Sequence, residues 1–139
     1  MTAPTVRPLD PAGLPAPVGN YTHGVEVTGA VRTVYVSGQV PWADEDGAIP
    51  ADFAAQCRLV WRNILAVLAE AGMGVEHLVK VTTYLSGREH RAVNAAVRQE
   101  ILGGHRPALT IVITGIYDEA WLLEIEAVAV AVTEAAPAL

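Results

Sequence analysis

The sequence predicts an α+β domain in which two helices cover one face of a β-sheet. Two stretches carry apolar residues at the spacing of amphipathic helices, and the segments around them contain the short apolar runs typical of strands. In chain order the predicted elements are ββαβαββ. At 139 residues the chain is long enough for one hydrophobic core, so we expect a single domain over residues 1–139.

The N-terminal third of the chain is predicted to contain strands and loops only. Residues 1–19 are rich in Pro and Gly and are expected to form an extended arm. Short strands follow at 25–28 and 33–39, and the intervening residues 29–32 are compatible with a hairpin turn. Residues 41–50 are expected to form a loop.

The first helix is predicted from Phe53 to Ala71. Asp52 is a candidate N-cap, because its carboxylate can accept a hydrogen bond from a free backbone N–H of the first turn. Gly72 and Gly74 are expected to end the helix. The residues at helical spacing that should form its buried stripe are Phe53, Cys57, Val60, Ile64, Val67, Leu68 and Ala71.

The C-terminal half is predicted to alternate between strands and one further helix. A strand is expected at 78–85, a helix at 89–102 ended by Gly103 and Gly104, and final strands at 109–114 and 121–133. The residues expected on the buried face of the second helix are Val93, Ala96, Val97 and Ile101.

Both parities of the last two strands are largely apolar. Side chains on a strand alternate between the faces of the sheet, and two helices cover only one face. An uncovered apolar face needs a partner, so the sequence predicts an obligate homo-oligomer.

Composition and charge exclude several functional classes. The net charge is −6 and the basic residues form no cluster, which argues against nucleic-acid binding and RNA cleavage and favours a small-molecule ligand. The apolar runs are too short for a membrane span, and the N-terminus has no signal-peptide core. With a single cysteine, these features predict a cytoplasmic protein without an internal disulfide.

Familiar catalytic and metal-binding motifs are absent from the sequence. There is no Gly-x-Ser-x-Gly motif and no phosphate-binding glycine loop. The four histidines have no metal-ligand spacing, so we expect neither a metal nor another cofactor. Cys57 lies within the apolar stripe of the first helix and is expected to be a buried small hydrophobic residue.

Short motifs follow one another along nearly the whole chain. They include Ser-Gly-Gln, Arg-Pro-Ala and Glu-Ile-Glu-Ala, and the segments lie at 19–24, 36–41, 69–72, 79–82, 93–94, 106–110 and 123–129. Together they resemble the RidA family, also called YjgF, whose members typically hydrolyse enamines and imines. The resemblance implies a homotrimer with a chorismate-mutase-like fold and three clefts between subunits.

The same resemblance implies which residues line each cleft. They are Tyr21, Ser37, Asn94, the residue at position 109 and Glu124. In the family mechanism an arginine at the position of Leu109 binds the substrate carboxylate, and the glutamate orients or activates water. Backbone groups nearby, here around Arg106 and Thr110, hold the rest of the substrate.

Each polar candidate also has a purely structural interpretation. Tyr21 is compatible with anchoring the arm through its hydroxyl, Ser37 with turn formation, and Asn94 with an ordinary helix position. Glu124 is the strongest candidate, because a carboxylate within an apolar strand is costly to bury without a role or a partner. Its structural alternative is an ion pair between subunits.

Leu109 removes the carboxylate-binding group that the resemblance implies. We therefore expect an altered substrate, one that lacks a free α-carboxylate, with Glu124 and Tyr21 as catalytic residues. Arg106 is a possible replacement cation, although it has the opposite strand parity. The alternative is a non-catalytic trimer that binds a small metabolite or a partner protein.

Overall fold

The computed structural model describes residues 3–42 and 48–133. Part of the predicted loop, residues 43–47, lies outside these ranges. Three strands begin the chain: β1 (Thr5–Leu9), β2 (Gly24–Thr28) and β3 (Val31–Gln39). They are followed by α1 (Phe53–Glu70), β4 (Leu78–Leu85), α2 (Arg91–Leu102), β5 (Ala108–Ile113) and β6 (Leu123–Val132). Single 3-10 turns at Val75–His77 and Arg88–His90 precede β4 and α2.

Four strands form the main sheet, in the order β3-β6-β4-β5. The pair β4–β5 is parallel, while β3–β6 and β4–β6 are antiparallel. The helices pack on one side of this mixed sheet, and their apolar residues join those of the strands in one core. The predicted α+β class is therefore confirmed.

Helix α1 follows the sequence prediction closely. The Asp52 carboxylate accepts a hydrogen bond from the Ala55 backbone N–H at 3.1 Å, as expected of an N-cap. Gly72, just beyond the helix, has a φ of +72°, a conformation that glycine adopts without strain. Cys57 is buried as predicted, but Val67 is exposed, and Gln56 and Trp61 are the buried residues that the prediction omitted.

The pairing of the first strands differs from the prediction. The expected arm includes β1, which pairs with β2 in a separate two-stranded sheet. Consecutive strands β2 and β3 form no hairpin, because β3 pairs with β6 along the edge of the main sheet. The predicted hairpin is wrong because β3 finds its hydrogen-bonding partner almost a hundred residues away, a choice that local turn signals do not reveal.

The predicted buried face of α2 is correct for Val97, which is buried, and for Ile101, which packs against the core, but not for its other two residues. Val93 is 40% exposed and Ala96 is exposed, whereas the buried residues of the helix are Asn94, Val97, Arg98 and Leu102. Apolar residues lie on more than one side of this helix, so their spacing does not predict which side faces the core. As a result, the amide of Asn94 and the guanidinium of Arg98 lie on the buried side of α2.

The sheet face that points away from the helices, the outer face, is more polar than predicted. Lys80, Thr82 and Tyr84 of β4 lie on it beside Glu124 and Glu126 of β6. Apolar residues such as Tyr35, 79% exposed, and Val128 are interspersed with them. The premise of a largely apolar second face therefore holds only in part, and the homo-oligomer stays a prediction.

The helices give no indication of a membrane span. Within residues 3–42 and 48–133, neither is both long and apolar enough to cross a bilayer.

Candidate functional site

The predicted site residues fall on two sides of the main sheet. Ser37 and Glu124 lie on the outer face, and Thr110 lies there opposite Thr82 of β4. Leu109 points to the helix-facing side, and Asn94 approaches that side from α2. A single chain therefore does not bring Glu124 and Asn94 together.

Glu124 is half-buried and lies opposite Tyr84 in the β4–β6 register. Its carboxylate packs directly over Gly38 of β3, and a Cβ atom at position 38 would collide with it. The glycine of the Ser-Gly-Gln motif thus leaves room for the Glu124 carboxylate beside Ser37. This contact gives the motif a concrete role in positioning the candidate acid.

Two side-chain hydrogen bonds lie on the outer face near Glu124. The Tyr84 hydroxyl donates a hydrogen bond to Glu126 Oε1 at 2.8 Å. That bond raises the pKa of Tyr84, with further contributions from burial and from the charges of Glu126 and Glu124. Lys80 Nζ donates to Thr110 Oγ1 at 2.6 Å. Sequence reasoning missed Lys80 and Tyr84, although their parity on β4 matches that of Thr82.

A second concave region, the α2–β5 cleft, lies on the helix-facing side. Its volume is about 850 Å³. Its sheet wall consists of Leu85, Ile111 and Ile113, and α2 contributes Asn94 and Arg98. Because β5 is the last strand of the four-stranded sheet, the cleft lies along one edge of that sheet.

Asn94 and Arg98 are buried polar residues of this cleft. The Asn94 Oδ1 atom lies 3.8 Å from Cys57 Sγ, which donates to it. Burial raises the pKa of the Cys57 thiol to about 12, so the thiol is neutral and is a poor nucleophile. Sequence reasoning missed Arg98, although it lies four residues after Asn94 and so shares its side of α2.

Leu109 is half-buried and packs against the hydrophobic core. It lies opposite Val81 of β4, and its side chain lies on the same side of β5 as those of Ile111 and Ile113. Position 109 is therefore adjacent to the α2–β5 cleft along the strand, although Leu109 is not one of the residues that line it.

Tyr21 lies in a segment held against the start of β5. The buried Asn20 side chain donates to the carbonyl of Gly103 at 2.6 Å, and the Thr22 N–H donates to the carbonyl of Pro107 at 3.1 Å. Thr22 also forms a parallel bridge with Ala108. These contacts hold the half-buried Tyr21 close to the β5 edge.

Asp10 fixes the same segment from the other side. Its carboxylate accepts hydrogen bonds from the Thr22 hydroxyl at 2.6 Å and from the His23 backbone N–H at 2.8 Å. The backbone N–H of His23, followed by the hydroxyl of Thr22, lowers the pKa of Asp10 below its ordinary value.

Arg106 lines a different cavity of about 730 Å³ between the β1–β2 ribbon and the main sheet. Asp10 and His105 line it as well. Arg106 is exposed there, and it does not line the α2–β5 cleft.

The His, Cys, Asp and Glu side chains of residues 3–42 and 48–133 are dispersed over the structure. No three His, Cys, Asp or Glu side chains in these ranges gather closely enough to hold an ion.

The chain is similar to known proteins of one family. A family model described as Endoribonuclease L-PSP matches residues 12–131. A 2-iminobutanoate/2-iminopropanoate deaminase of Escherichia coli is 33% identical over 119 residues, which cover 84% of this chain and 91% of that protein. The chain belongs to the RidA family.

Solved structures of the RidA family share the fold. A Yersinia pestis protein of the Rid family, YyfB, superposes with a TM-score of 0.78 at 28% identity, covering 89% of this chain and 97% of that one. Escherichia coli TdcF with bound serine gives a TM-score of 0.68 at 29% identity, covering 90% of this chain and 98% of that one.

Proposed function

We propose that this RidA-family protein hydrolyses small imines or enamines in clefts between the subunits of a homotrimer. The Escherichia coli relative named as an iminobutanoate and iminopropanoate deaminase supports this class of reaction. The serine bound to TdcF supports small amino-acid-like ligands.

The main support for a cleft between subunits is that Glu124 and Asn94 lie on opposite sides of the main sheet. Glu124 lies on the outer face, whereas Asn94 lines the α2–β5 cleft on the opposite side of the same sheet. One substrate can contact both residues only if the outer face of one subunit meets the β5 edge of another. The exposed Tyr35 on the outer face and the exposed Ile111 on β5 favour such contacts, because both are large apolar side chains.

The chemistry requires one acid–base group and a positioned water. Water adds its oxygen to the carbon of the protonated C=N bond while Glu124 accepts a proton from the water. Glu124 then returns the proton to nitrogen, and the C–N bond breaks with its electron pair leaving on ammonia. The hydroxyl oxygen forms the C=O bond as it gives its remaining proton to Glu124, which releases that proton to solvent, and the carbonyl compound leaves. Tyr21 donates a hydrogen bond to the reacting group, while Ser37 and backbone groups near Thr110 position the substrate.

Leu109 changes the substrate preference in this proposal. The arginine implied at this position would donate two charge-assisted hydrogen bonds to a carboxylate, each worth roughly 1.5–3 kcal/mol. Leucine supplies neither, so a substrate cannot be held through its carboxylate at position 109.

The test compares wild type with Glu124→Gln and Leu109→Arg on two substrates, 2-iminobutanoate generated in situ and a neutral imine. Glu124→Gln should lower kcat for every substrate that the wild type accepts by at least about 100-fold, the usual contribution of a general acid–base group. Leu109→Arg should raise kcat/KM for 2-iminobutanoate. Glu70→Gln, an exposed carboxylate at the end of α1, is the matched control and should leave kcat unchanged.

Three results would contradict the proposal. A wild type that hydrolyses neither imine but binds ligands in the cleft would be a non-catalytic metabolite-binding protein. Cleavage of single-stranded RNA without imine hydrolysis would favour a nuclease, against the expectation from the net charge of −6. A stable monomer by sedimentation at micromolar concentration would exclude a cleft between subunits.

A further inference from the structure

Three buried hydrogen-bond donors on α2 have no acceptor in the described part of the chain. Arg98 is 8% exposed, and its Nε and Nη1 atoms have no partner among the residues that the structure describes. The same is true of Asn94 Nδ2. Buried donors are normally paired, because an unpaired donor has lost its hydrogen bonds to water without replacement.

The two side chains belong to one site. Positions 94 and 98 are one helical turn apart, and both side chains line the α2–β5 cleft. Leu85, Ile111 and Ile113 form the opposite wall, which provides apolar surroundings. In such surroundings a charge-assisted hydrogen bond is stronger than in water.

The charges around the cleft are mostly positive although the chain as a whole is acidic. Arg88 and Arg91 lie at its exposed rim, so three of the nine Lys and Arg residues line this one cleft. Glu89 is the one carboxylate among its lining residues. A cleft lined by one sign of charge attracts small ions of the opposite sign.

Protein carboxylates do not neutralise Arg98 within the described ranges. Glu100, two residues later on α2, forms its ion pair with Arg58 at 2.9 Å instead. The carboxylate of Glu89 lies 3.8 Å from His90 Nε2. Burial lowers the pKa of Arg98, but an arginine titrates so far above neutrality that the guanidinium remains charged.

We propose that Arg98 and Asn94 form a carboxylate-binding subsite of the α2–β5 cleft, which selects a small organic acid as the substrate. The unpartnered side-chain groups of the site are all donors, and a carboxylate is an acceptor with two oxygens that matches the forked guanidinium. Asn94 Nδ2 supplies a third hydrogen bond. A neutral imine would leave the buried cation unpaired.

This inference rests on the proposed function and makes its substrate class specific. Arg98 of α2 supplies the positive charge that an arginine at position 109 would supply. It lies on the same side of the sheet as the Leu109 side chain. The substrate is then an imine or enamine that carries a carboxylate, in contrast to the acid-free substrate expected from the sequence. The carboxylate is bound near Ile111 and Ile113, farther along β5 than position 109.

The experiment measures binding separately from turnover. Isothermal titration calorimetry uses 2-oxobutanoate as the anionic probe and 2-oxobutanamide as its neutral analogue, with the full chain in its native assembly. The acid should bind and the amide should not. Arg98→Gln should weaken acid binding by at least about tenfold, because charge-assisted hydrogen bonds are lost. Arg98→Lys should retain part of the affinity, and Arg62→Gln, an exposed arginine of α1, should bind as the wild type does.

Thermal unfolding distinguishes the subsite from a structural ion pair between subunits. If Arg98 serves a ligand, Arg98→Gln removes an unpaired buried charge and should not lower Tm in the absence of ligand. A large loss of Tm together with dissociation of the oligomer would instead identify Arg98 as the partner of a neighbouring subunit's carboxylate, and would overturn the proposal. Equal binding of acid and amide, or unchanged acid binding in Arg98→Gln, would overturn it as well.

The two proposals can fail independently. Arg98-dependent binding of 2-oxobutanoate without imine hydrolysis would retain the subsite and exclude the enzymatic function. Imine hydrolysis that does not change in Arg98→Gln would retain the function and exclude the subsite.

Discussion

Gln56 of α1 should contribute more to stability than its polar side chain suggests. It is 1% exposed, and its Nε2 atom donates to the carbonyls of Pro50 at 2.8 Å and Ala120 at 3.0 Å. Its Oε1 atom accepts from the Leu122 N–H at 2.8 Å. One amide therefore joins the segment before α1 to the segment that enters β6, two residues before Glu124.

The substitution Gln56→Ala removes all three hydrogen bonds and leaves three backbone groups without their partner. At a net contribution of roughly 1 kcal/mol for each hydrogen bond, the free energy of unfolding should fall by about 3 kcal/mol. The expected loss is a large part of the stability of a domain of this size.

Urea unfolding followed by tryptophan fluorescence measures this loss. All variants are compared at one protein concentration, because the stability of an oligomer depends on concentration. Gln99→Ala is the control: Gln99 is exposed and makes one hydrogen bond, at 3.3 Å, so the change should stay within about 0.5 kcal/mol. A loss below about 1 kcal/mol for Gln56→Ala would refute the reasoning, since the three bonds would then be replaceable by water.

Three further predictions concern single residues. Gly38→Ala places a methyl group against the Glu124 carboxylate and should lower kcat by at least about tenfold in the imine assay. Gly115→Ala is the control, because a Cβ atom at position 115 lies in open space and should leave kcat unchanged. Equal activity of the two variants would contradict the packing argument. Cys57, whose pKa is raised to about 12, should resist iodoacetamide at pH 8 in the folded protein and react in urea, as mass spectrometry can check. Asp10 has a lowered pKa, so its stabilisation is present above the ordinary value of 3.8 and is lost as pH falls through the folded pKa. Asp10→Asn should therefore destabilise at pH 7 but much less at pH 3 in urea titrations, and an equal effect at both would contradict this assignment.

The candidate site was only partly predictable from the sequence. The Ser-Gly-Gln motif and Glu124 were found from short segments, and they do lie next to each other because β3 pairs with β6. Asn94 was found in the same way, but on the other side of the sheet. Arg98 was missed although its spacing of four residues from Asn94 places both on one side of α2, because that spacing does not show that this side is buried. Its burial follows from the rotation of α2 about its axis, which packing determines.

The sequence by itself determined the features that depend on neighbouring residues. The cap at Asp52, the glycine stop at Gly72 and most of the α1 stripe are set by hydrogen bonds and side-chain spacing within a few residues. Only the tertiary structure decided the rest: the pairing of β1 with β2, the polar residues of the outer face, and the burial of the Asn94 and Arg98 side chains of α2 in the α2–β5 cleft. These depend on contacts between segments distant in the chain, where burial and hydrogen bonding of the whole sheet outweigh local preference.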